Sequence, residues 1–475
     1  MIVCRMEQSL LDSGAWTRVR AKLDVPRLCG YLTRCGIRPQ AFDPDKVMML
    51  QSNNGMSNPT YYIQQSGSRL PGLIIRKKPA GKLLPGAHQI DREFRAMKHL
   101  SGTVVPVPKV HVLCNDATVL GQSFYVMDYV GGPVPNDPGL PGLLPGQRAG
   151  VFAHAVQILA GLHNLDYVSL GLEKHGRPGN YADRQLRTWS RQYELGDEQL
   201  AKYHAQRKAQ IAAAASQLTR IGSVERGGKG VLSSSSPPSS SSTANGACGS
   251  GSGDDAKDRL VERVLGAGAE MRLLISRLSS LSKQRSVAAS TTSNAGSTPP
   301  PDPDETTLVH GDFRMGNFIL DLDGGVEGSE GPGRVRAVLD WEISTLGHPL
   351  LDLAYLMSPY YSAGEGGFLV DEETGKGGLP EGAPSRDEYL TMYCTARGIP
   401  SIPETEWNFW VALNCFRTAA IVHGVFARFI GGNAGSTNAS YAGSAFVTEV
   451  RKGLRLLPRQ ESYQQPRTEH RLSKL

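Results

Sequence analysis

Apolar positions in the first 130 residues alternate between the two-residue repeat of strands and the spacing of helices. Residues 26–36 and 87–100 have helical spacing, and the second of these segments places Ile90, Phe94 and Met97 on one face. Runs of β-branched and aromatic residues between Gly, Pro and Asn are typical of strands. They lie in residues 51–67 (two strands around a turn), 70–79, 105–114 and 123–132. The order β-β-β-α-β-β predicts a small antiparallel sheet with one helix.

The pattern becomes mainly helical after residue 148, with strong helical periodicity over residues 148–166 and one or two further helices over 181–218. Residues 222–303 are rich in Ser, Gly and Pro, a composition that buries too little apolar surface to fold. Within this insert, residues 257–281 have the period of a helix that docks on the larger lobe. Residues 308–342 predict a hairpin with a long glycine-rich turn, and helices follow from residue 352 to about 456.

These patterns predict an α+β chain with a small lobe and a mainly helical large lobe. The predicted parts are an N-terminal helical extension (1–39), a small lobe (40–130), a large lobe (131–460) interrupted by a largely disordered insert (222–303), and a C-terminal tail (461–475).

Composition and charge exclude several classes of function. The net charge of +6 among 475 residues is too small to indicate nucleic-acid binding. The seven cysteines include no Cys-x-x-Cys pair, so neither a zinc site nor a disulfide framework is indicated. No apolar run reaches the roughly 18 residues of a membrane span, so none is expected.

Residues 310–317 carry the candidate chemistry. The spacing His-Gly-Asp-x-x-x-x-Asn is that of a kinase catalytic loop, in which a carboxylate serves the nucleophile and an amide holds magnesium. We therefore predict Asp312 as the base for the substrate hydroxyl, and Asn317 and Asp340 as the Mg²⁺ ligands. Asp340 ends an apolar strand, where a second carboxylate is needed. Together the three residues predict an ATP- and Mg²⁺-dependent kinase of small molecules, although each alone would be typical of a turn or cap.

Candidate ATP-binding residues lie in the small lobe. The turn Asn54-Gly55-Met56-Ser57-Asn58 between two strands offers backbone amides to phosphates. A strand cation held by a helix carboxylate orients phosphates in kinases. Counting along the strand places Arg76 inward and pairs it with Glu93, with Lys77 as the alternative.

Further residues are predicted to support the site or meet the substrate. His310 and Arg314 support the catalytic loop, and Asp352, at the start of a helix, caps it and fixes the loop. Three arginines at helical positions are possible contacts for an anionic substrate: Arg187, Arg417 and Arg428.

At these residues the chain resembles the aminoglycoside phosphotransferase/choline kinase superfamily. It is most similar to the phosphotransferase family found fused to acyl-CoA dehydrogenases, through strings such as SNPT and RQLRTW. The resemblance implies a protein-kinase-like two-lobed fold, the roles given above for Asp312, Asn317 and Asp340, and an adenine-facing hinge at 127–131 that includes Met127, Asp128 and Tyr129. Three features depart from the family or from protein kinases: Arg76 replaces the usual Lys, the insert is foreign, and no Ala-Pro-Glu segment for protein substrates is present.

The acceptor has alternatives that the sequence leaves open. The resemblance implies a hydroxyacyl-CoA or hydroxy acid, phosphorylated on its hydroxyl. An amino sugar or amino alcohol is the alternative acceptor, and a non-catalytic nucleotide-binding pseudokinase is the alternative class.

The last three residues, Ser473-Lys474-Leu475, match the tripeptide that an import receptor reads as a peroxisomal address. The polar segment before it favours an exposed tail. We therefore expect a peroxisomal protein, and a cytoplasmic one if the tripeptide is not read.

Overall fold

A computed structural model describes most of the chain. The described residues are 8, 10–12, 14–20, 23–53, 58–68, 70–79, 89–224, 251–291, 304–322, 333–364, 366–372, 374–432 and 439–458. The predicted targeting tripeptide, Ser473 to Leu475, lies outside these residues, as do Asn54, Gly55 and Ser57 of the predicted phosphate turn.

The small lobe is an antiparallel sheet of six strands in the order β1-β2-β3-β4-β6-β5. Its strands are β1 (Trp16–Arg18), β2 (Val47–Ser52), β3 (Thr60–Gln65), β4 (Leu73–Lys77), β5 (Val110–Cys114) and β6 (Phe124–Asp128), and its helices are α1 (Val25–Arg34), α2 (Ile90–Leu100) and α3 (Ala117–Leu120). Inward residues of three neighbouring strands, Ile63, Ile75 and Val126, form one apolar cluster with Leu28 and Leu32 of α1. The predicted strands and helices are present, and β1 is an additional edge strand.

The elements that follow bring the predicted catalytic loop, residues 310–317, next to the segment that contains Asp340. Helix α4 (Pro145–Asn164) is followed by α5 (Tyr181–Val224), and the two segments lie among β7 (Thr307–Val309), β8 (Phe318–Asp321), β9 (Arg334–Val338) and β10 (Thr345–Gly347). Strands β8 and β9 form an antiparallel hairpin, whereas β7 pairs with β10. The sequence predicts that residues 308–313 belong to the hairpin. They lie outside it, because their strand β7 pairs with β10, which follows Asp340 in the chain. The short helices α8 (Pro349–Leu356) and α9 (Arg386–Arg397) follow.

The chain divides into two compact units. Unit 1 comprises residues 1–181 and 285–410, and unit 2 comprises residues 182–284 and 411–475. The lobe boundary predicted at residue 130 falls inside unit 1. The predicted domain limits stay a prediction.

Unit 2 is helical and includes part of the predicted insert. The insert contains two helices, α6 (Gly251–Gly266) and α7 (Gly268–Thr291), where the sequence predicts one helix over 257–281. The predicted helical segment is therefore present, whereas the expectation of disorder is wrong for residues 251–256 and 282–291, which extend the helices at either end. Apolar burial stabilises both helices, since their inward residues are fully buried: Val261, Val264, Met271, Leu274 and Leu278.

Two long helices complete the described fold, α10 (Glu404–Ile430) and α11 (Ala439–Leu456). In unit 2, Gly453 of α11 lies close to Leu274 of α7 and Cys415 of α10. Helix α10 is the one described helix that is long and apolar enough to cross a membrane, but 72% of its most apolar window is buried within the protein. That degree of burial is typical of a core helix.

Candidate active site

Asp352 fixes the backbone of the catalytic loop. Its buried carboxylate accepts the N–H of His310 at 2.6 Å and the N–H of Gly311 at 2.8 Å. Gly311 has φ +86°, and a Cβ there would lie 3.1 Å from Ile343, so the turn favours glycine. Burial alone would raise the pKa of Asp352, but its interactions with nearby His163 and with the Gly311 N–H lower the pKa overall. Asp352 therefore anchors the loop, as predicted, but its predicted role as the helix cap is wrong, because His348 precedes the helix Pro349–Leu356 and accepts the Leu350 N–H.

His310 braces the loop between two backbone groups. Its Nε2 lies 2.9 Å from the carbonyl oxygen of Leu339, and its Nδ1 accepts the N–H of Asp312 at 3.1 Å. These partners require the neutral tautomer with the proton on Nε2. Both ring nitrogens are thus engaged, which is consistent with the predicted supporting role.

Asp312 and Asn317 are in direct contact. The Nδ2 of Asn317 donates to the backbone oxygen of Asp312 and to its Oδ2, both at 2.8 Å. Because the amide nitrogen is directed at Asp312, the amide oxygen is the atom of Asn317 suited to a metal. Arg314 places its Nε 3.4 Å from both carboxylate oxygens of Asp312. The side chain of Arg314 is 52% exposed, so this cation lies on the solvent side of the predicted base.

Asp340 lies beside this loop in an unusual backbone conformation. Its φ is +68°, a left-handed value that costs free energy for a residue with a Cβ. The preceding residue, Leu339, donates its N–H to the backbone oxygen of Asn317 at 2.8 Å, which joins the two predicted metal-ligand segments. The strain and the connection together indicate that the position of Asp340 is held for a purpose other than local stability.

Arg76 connects the small lobe to Asp340. Its Nε lies 3.1 Å from Oε2 of Glu93, and its Nη2 lies 3.0 Å from Oδ1 of Asp340 and 3.7 Å from Oε2 of Glu342. The predicted inward position of Arg76 and its pairing with Glu93 are therefore present. Burial alone would lower the pKa of Arg76, but the surrounding carboxylates, Glu93 foremost, raise it overall, so the guanidinium stays charged. Burial lowers the pKa of Lys77, and no carboxylate in the described part of the chain forms an ion pair with it.

The site carries more negative than positive charge. Four carboxylates (Glu93, Asp312, Asp340 and Glu342) surround two guanidinium groups (Arg76 and Arg314). Burial, opposed by Arg76 and reinforced by the neighbouring carboxylates, raises the pKa of Glu93 to about 7. Burial and Asp340 likewise raise the pKa of Glu342. A divalent cation would relieve this excess of negative charge.

The donor atoms also fit magnesium. Among the described residues, no three His, Cys, Asp or Glu side chains converge as a metal-binding group. The predicted ligands are one carboxylate, Asp340, and one amide oxygen, Asn317. Mg²⁺ is commonly held by one or two protein oxygens together with water and substrate phosphates. The residues present therefore fit that ion, and their role as ligands stays a prediction.

The described end of the predicted phosphate turn contacts the turn that follows Asp340. Asn58 is 1% exposed, and its Nδ2 donates to Oε2 of Glu342 at 2.7 Å. Sequence reasoning selected Asn58 but missed Glu342. The available signal was a second carboxylate two residues after Asp340, in a segment already assigned to the site.

The predicted hinge residues lie at the end of β6. Met127 is buried, the Asp128 N–H donates to the Lys109 oxygen, and the Tyr129 N–H donates to the Gly72 oxygen. The Asp128 carboxylate accepts from Arg38 and contacts His111 at 2.8 Å. In the described structure, Val130 is the first residue after β6 whose N–H makes no backbone hydrogen bond. The adenine-facing role of the hinge stays a prediction.

The three predicted substrate arginines all belong to unit 2, whereas Asp312 belongs to unit 1. Arg417 is buried, and its guanidinium carbon lies 6.0 Å from the ring centre of Trp189. Arg187 and Arg428 are exposed. Their contact with an acceptor stays a prediction.

Comparisons with known proteins agree with this geometry. The model of the phosphotransferase enzyme family matches residues 50–228 and 262–389, more than half of the chain. Acyl-CoA dehydrogenase family member 10 from Mus musculus is 33% identical over 398 residues, which are 83% of this chain and 28% of that protein. Acyl-CoA dehydrogenase family member 11 from Rattus norvegicus is 32% identical over 445 residues, which are 92% of this chain and 43% of that protein. The chain thus spans less than half the length of these relatives.

The solved structures give the same result for the fold. A protein assigned as an aminoglycoside phosphotransferase, from Ralstonia eutropha, aligns with a TM-score of 0.58 and 26% identity, covering 92% of this chain and 98% of its own. The fold is the two-lobed α+β fold of kinase-like phosphotransferases. With the catalytic loop, the Arg76–Glu93 pair and the family match all present, the chain belongs to the phosphotransferase enzyme family.

Proposed function

We propose that this protein transfers the γ-phosphoryl group of ATP to a hydroxyl group of a small molecule in a Mg²⁺-dependent reaction. The observation that carries the proposal is the assembly of Asp312, Asn317 and Asp340 around one site that Arg76 joins to the small lobe. Phosphoryl transfer depends mainly on positioning and charge neutralisation, and these residues supply both.

The residues of the chain have separable tasks in this reaction. Asn317 orients the Asp312 carboxylate through the 2.8 Å hydrogen bond, so that Asp312 can accept the proton of the acceptor hydroxyl. Asn317 and Asp340 would hold Mg²⁺, which neutralises phosphate charge when it is bound. Arg76, held by Glu93, would orient the phosphates.

We infer that the acceptor is a hydroxyacyl compound, either a CoA thioester or a free acid. One observation supports this class. Curated relatives at 32–33% identity are named acyl-CoA dehydrogenase family members.

An amino sugar or amino alcohol is the second candidate acceptor. The likeness to the Ralstonia eutropha structure, assigned as an aminoglycoside phosphotransferase, favours it. A non-catalytic nucleotide-binding role is the remaining alternative. Asp312, Asn317 and Asp340 are all present, Asp312 contacts Asn317, and Asp340 contacts Arg76, which argues against a non-catalytic role.

An ATP-consumption assay separates these candidates. Purified protein with Mg²⁺ is offered four acceptor classes in parallel: hydroxyacyl-CoAs, free hydroxy acids, amino alcohols and aminoglycosides. Turnover with the first two classes supports the proposal. Turnover with aminoglycosides or amino alcohols alone would sink the hydroxyacyl assignment, and nucleotide binding without turnover on any acceptor would favour the non-catalytic alternative.

A further inference from the structure

A single hydrogen bond joins two segments that are far apart in the sequence, at the edge of the candidate site. The Nδ2 of Asn58 donates to Oε2 of Glu342 at 2.7 Å, across 284 residues of sequence. Asn58 is the last residue of the predicted phosphate turn, and Glu342 lies two residues after Asp340. The bond therefore connects the element predicted to meet the phosphates with the element predicted to hold the metal.

The orientation of the Asn58 amide is determined by this contact. Asn58 is 1% exposed, and its Oδ1 is buried without a hydrogen-bond donor in the described part of the chain. A buried acceptor without a donor costs free energy, so the amide is not oriented by the needs of its oxygen. The charge-assisted bond from Nδ2 to the Glu342 carboxylate is the interaction that holds it.

Both ends of the bond are anchored to groups of the site. On the small-lobe side, the backbone oxygen of Asn58 accepts from the Thr60 hydroxyl at 3.1 Å, and the Pro59 oxygen accepts the Lys77 N–H at 2.9 Å. These contacts place Asn58 next to the strand that carries Arg76. On the other side, the Glu342 carboxylate lies 3.7 Å from Nη2 of Arg76, which also binds Asp340.

We propose that Glu342 is a positioning residue that holds Asn58, the described end of the predicted phosphate turn, in place beside Asp340. The inference rests on the proposed function, and it concerns the binding of the Mg²⁺–nucleotide complex. Loss of the bond should weaken nucleotide binding more than it slows the chemical step, because Asp312 and Asn317 keep their own contacts.

The direction of the hydrogen bond allows a reciprocal test. Asn58→Asp places two carboxylates against each other and should break the contact. Glu342→Gln keeps an acceptor oxygen for Asn58 and should preserve it. In the double variant the donor and acceptor exchange places, since the new amide at position 342 can donate to the new carboxylate at position 58. The total charge of the pair then stays that of the wild type.

The dissociation constant of Mg²⁺–ADP, measured by calorimetry at pH 8 on the full chain, is the readout. We expect about a tenfold increase for Asn58→Asp, and values within about threefold of wild type for Glu342→Gln and for the double variant. At saturating ATP, the kcat of Asn58→Asp should fall by a smaller factor than its affinity for Mg²⁺–ADP. Asn164→Asp, at the exposed end of α4, is the matched control, and thermal unfolding verifies that each variant is folded.

Recovery of affinity in the double variant supports the inference. Wild-type affinity in Asn58→Asp overturns it. A second result also overturns the inference: Glu342→Gln binds Mg²⁺–ADP more weakly, requires much more Mg²⁺, and regains no affinity when Asn58→Asp is added. Glu342 would then act on the metal directly. If the wild-type protein binds no Mg²⁺–ADP, the proposed function fails together with the inference, whereas wild-type binding that neither variant changes overturns the inference alone.

Discussion

Replacing Asp352 by Asn tests whether one buried carboxylate holds the catalytic loop. In the wild type, the carboxylate accepts two backbone N–H groups at 2.6 and 2.8 Å while 1% exposed. An asparagine can accept only one of them, and its NH₂ group faces the other N–H. The substitution thus weakens one charge-assisted bond and replaces the second with two opposed donors.

The magnitude follows from these two bonds. A hydrogen bond to a charged group contributes about 1.5–3 kcal/mol, and a buried N–H left without an acceptor costs about 1–3 kcal/mol. The variant should therefore lose about 3–5 kcal/mol of unfolding free energy, a range typical of a broken buried network. Because His310 and Gly311 precede Asp312 directly, kcat should fall on the order of 100-fold even in the folded fraction.

Urea denaturation followed by tryptophan fluorescence measures the stability, and steady-state kinetics under folding conditions measures kcat. Asp387→Asn, at an exposed position in the first turn of α9, is the control and should change neither quantity appreciably. The reasoning is refuted if Asp352→Asn unfolds at the same urea concentration as the control, or if its kcat equals that of the wild type.

Three other predictions concern Arg76 of the site and two buried residues elsewhere in the fold, His175 and Arg148. Arg76→Lys should bind Mg²⁺–nucleotide about tenfold more weakly, because one ammonium cannot contact Glu93 and Asp340 through separate nitrogens; unchanged affinity by calorimetry would contradict this. Burial, aided by nearby cations, lowers the pKa of His175 to about 4, below the roughly 6.5 of an unfolded histidine, so stability should fall as the pH decreases from 6.5 to 4. Thermal unfolding of His175→Gln should show a smaller fall, and an equal fall would remove His175 as a cause. Arg148→Met removes the donors that bind four backbone oxygens, so limited proteolysis should cleave residues 131–144 faster; a wild-type cleavage rate would contradict this role.

Local sequence patterns were sufficient for much of the fold and for the catalytic loop. The two-residue period of β4 correctly separated Arg76 from Lys77, because successive side chains of a strand point to opposite faces. The loop from His310 to Asn317 was recognisable because its polar residues lie within eight positions of each other. In contrast, β1 has three residues, too few for a detectable period, and its pairing partner β2 defines it.

Contacts between distant segments were not predictable from the sequence. The bond between Asn58 and Glu342 joins residues 284 positions apart, and no local pattern encodes it. Glu342 itself was missed although a local signal existed, a second carboxylate two residues after Asp340. The two helices of the insert were predicted as one shorter helix over 257–281, because polar low-complexity flanks conceal their ends. Their apolar stripe, which includes Met271, Leu274 and Leu278, was recognisable from its helical spacing.

The central claim is tested most directly by measuring phosphoryl transfer and nucleotide binding together in the wild type and in Asp312→Asn. With an acceptor that the wild-type protein phosphorylates, the account predicts a loss in kcat on the order of 10²–10⁴-fold. The dissociation constant of Mg²⁺–ADP should stay within about threefold, because the role proposed for Asp312 concerns the acceptor hydroxyl and not the nucleotide. A wild-type rate of transfer in Asp312→Asn would contradict the account, since the base would then lie elsewhere.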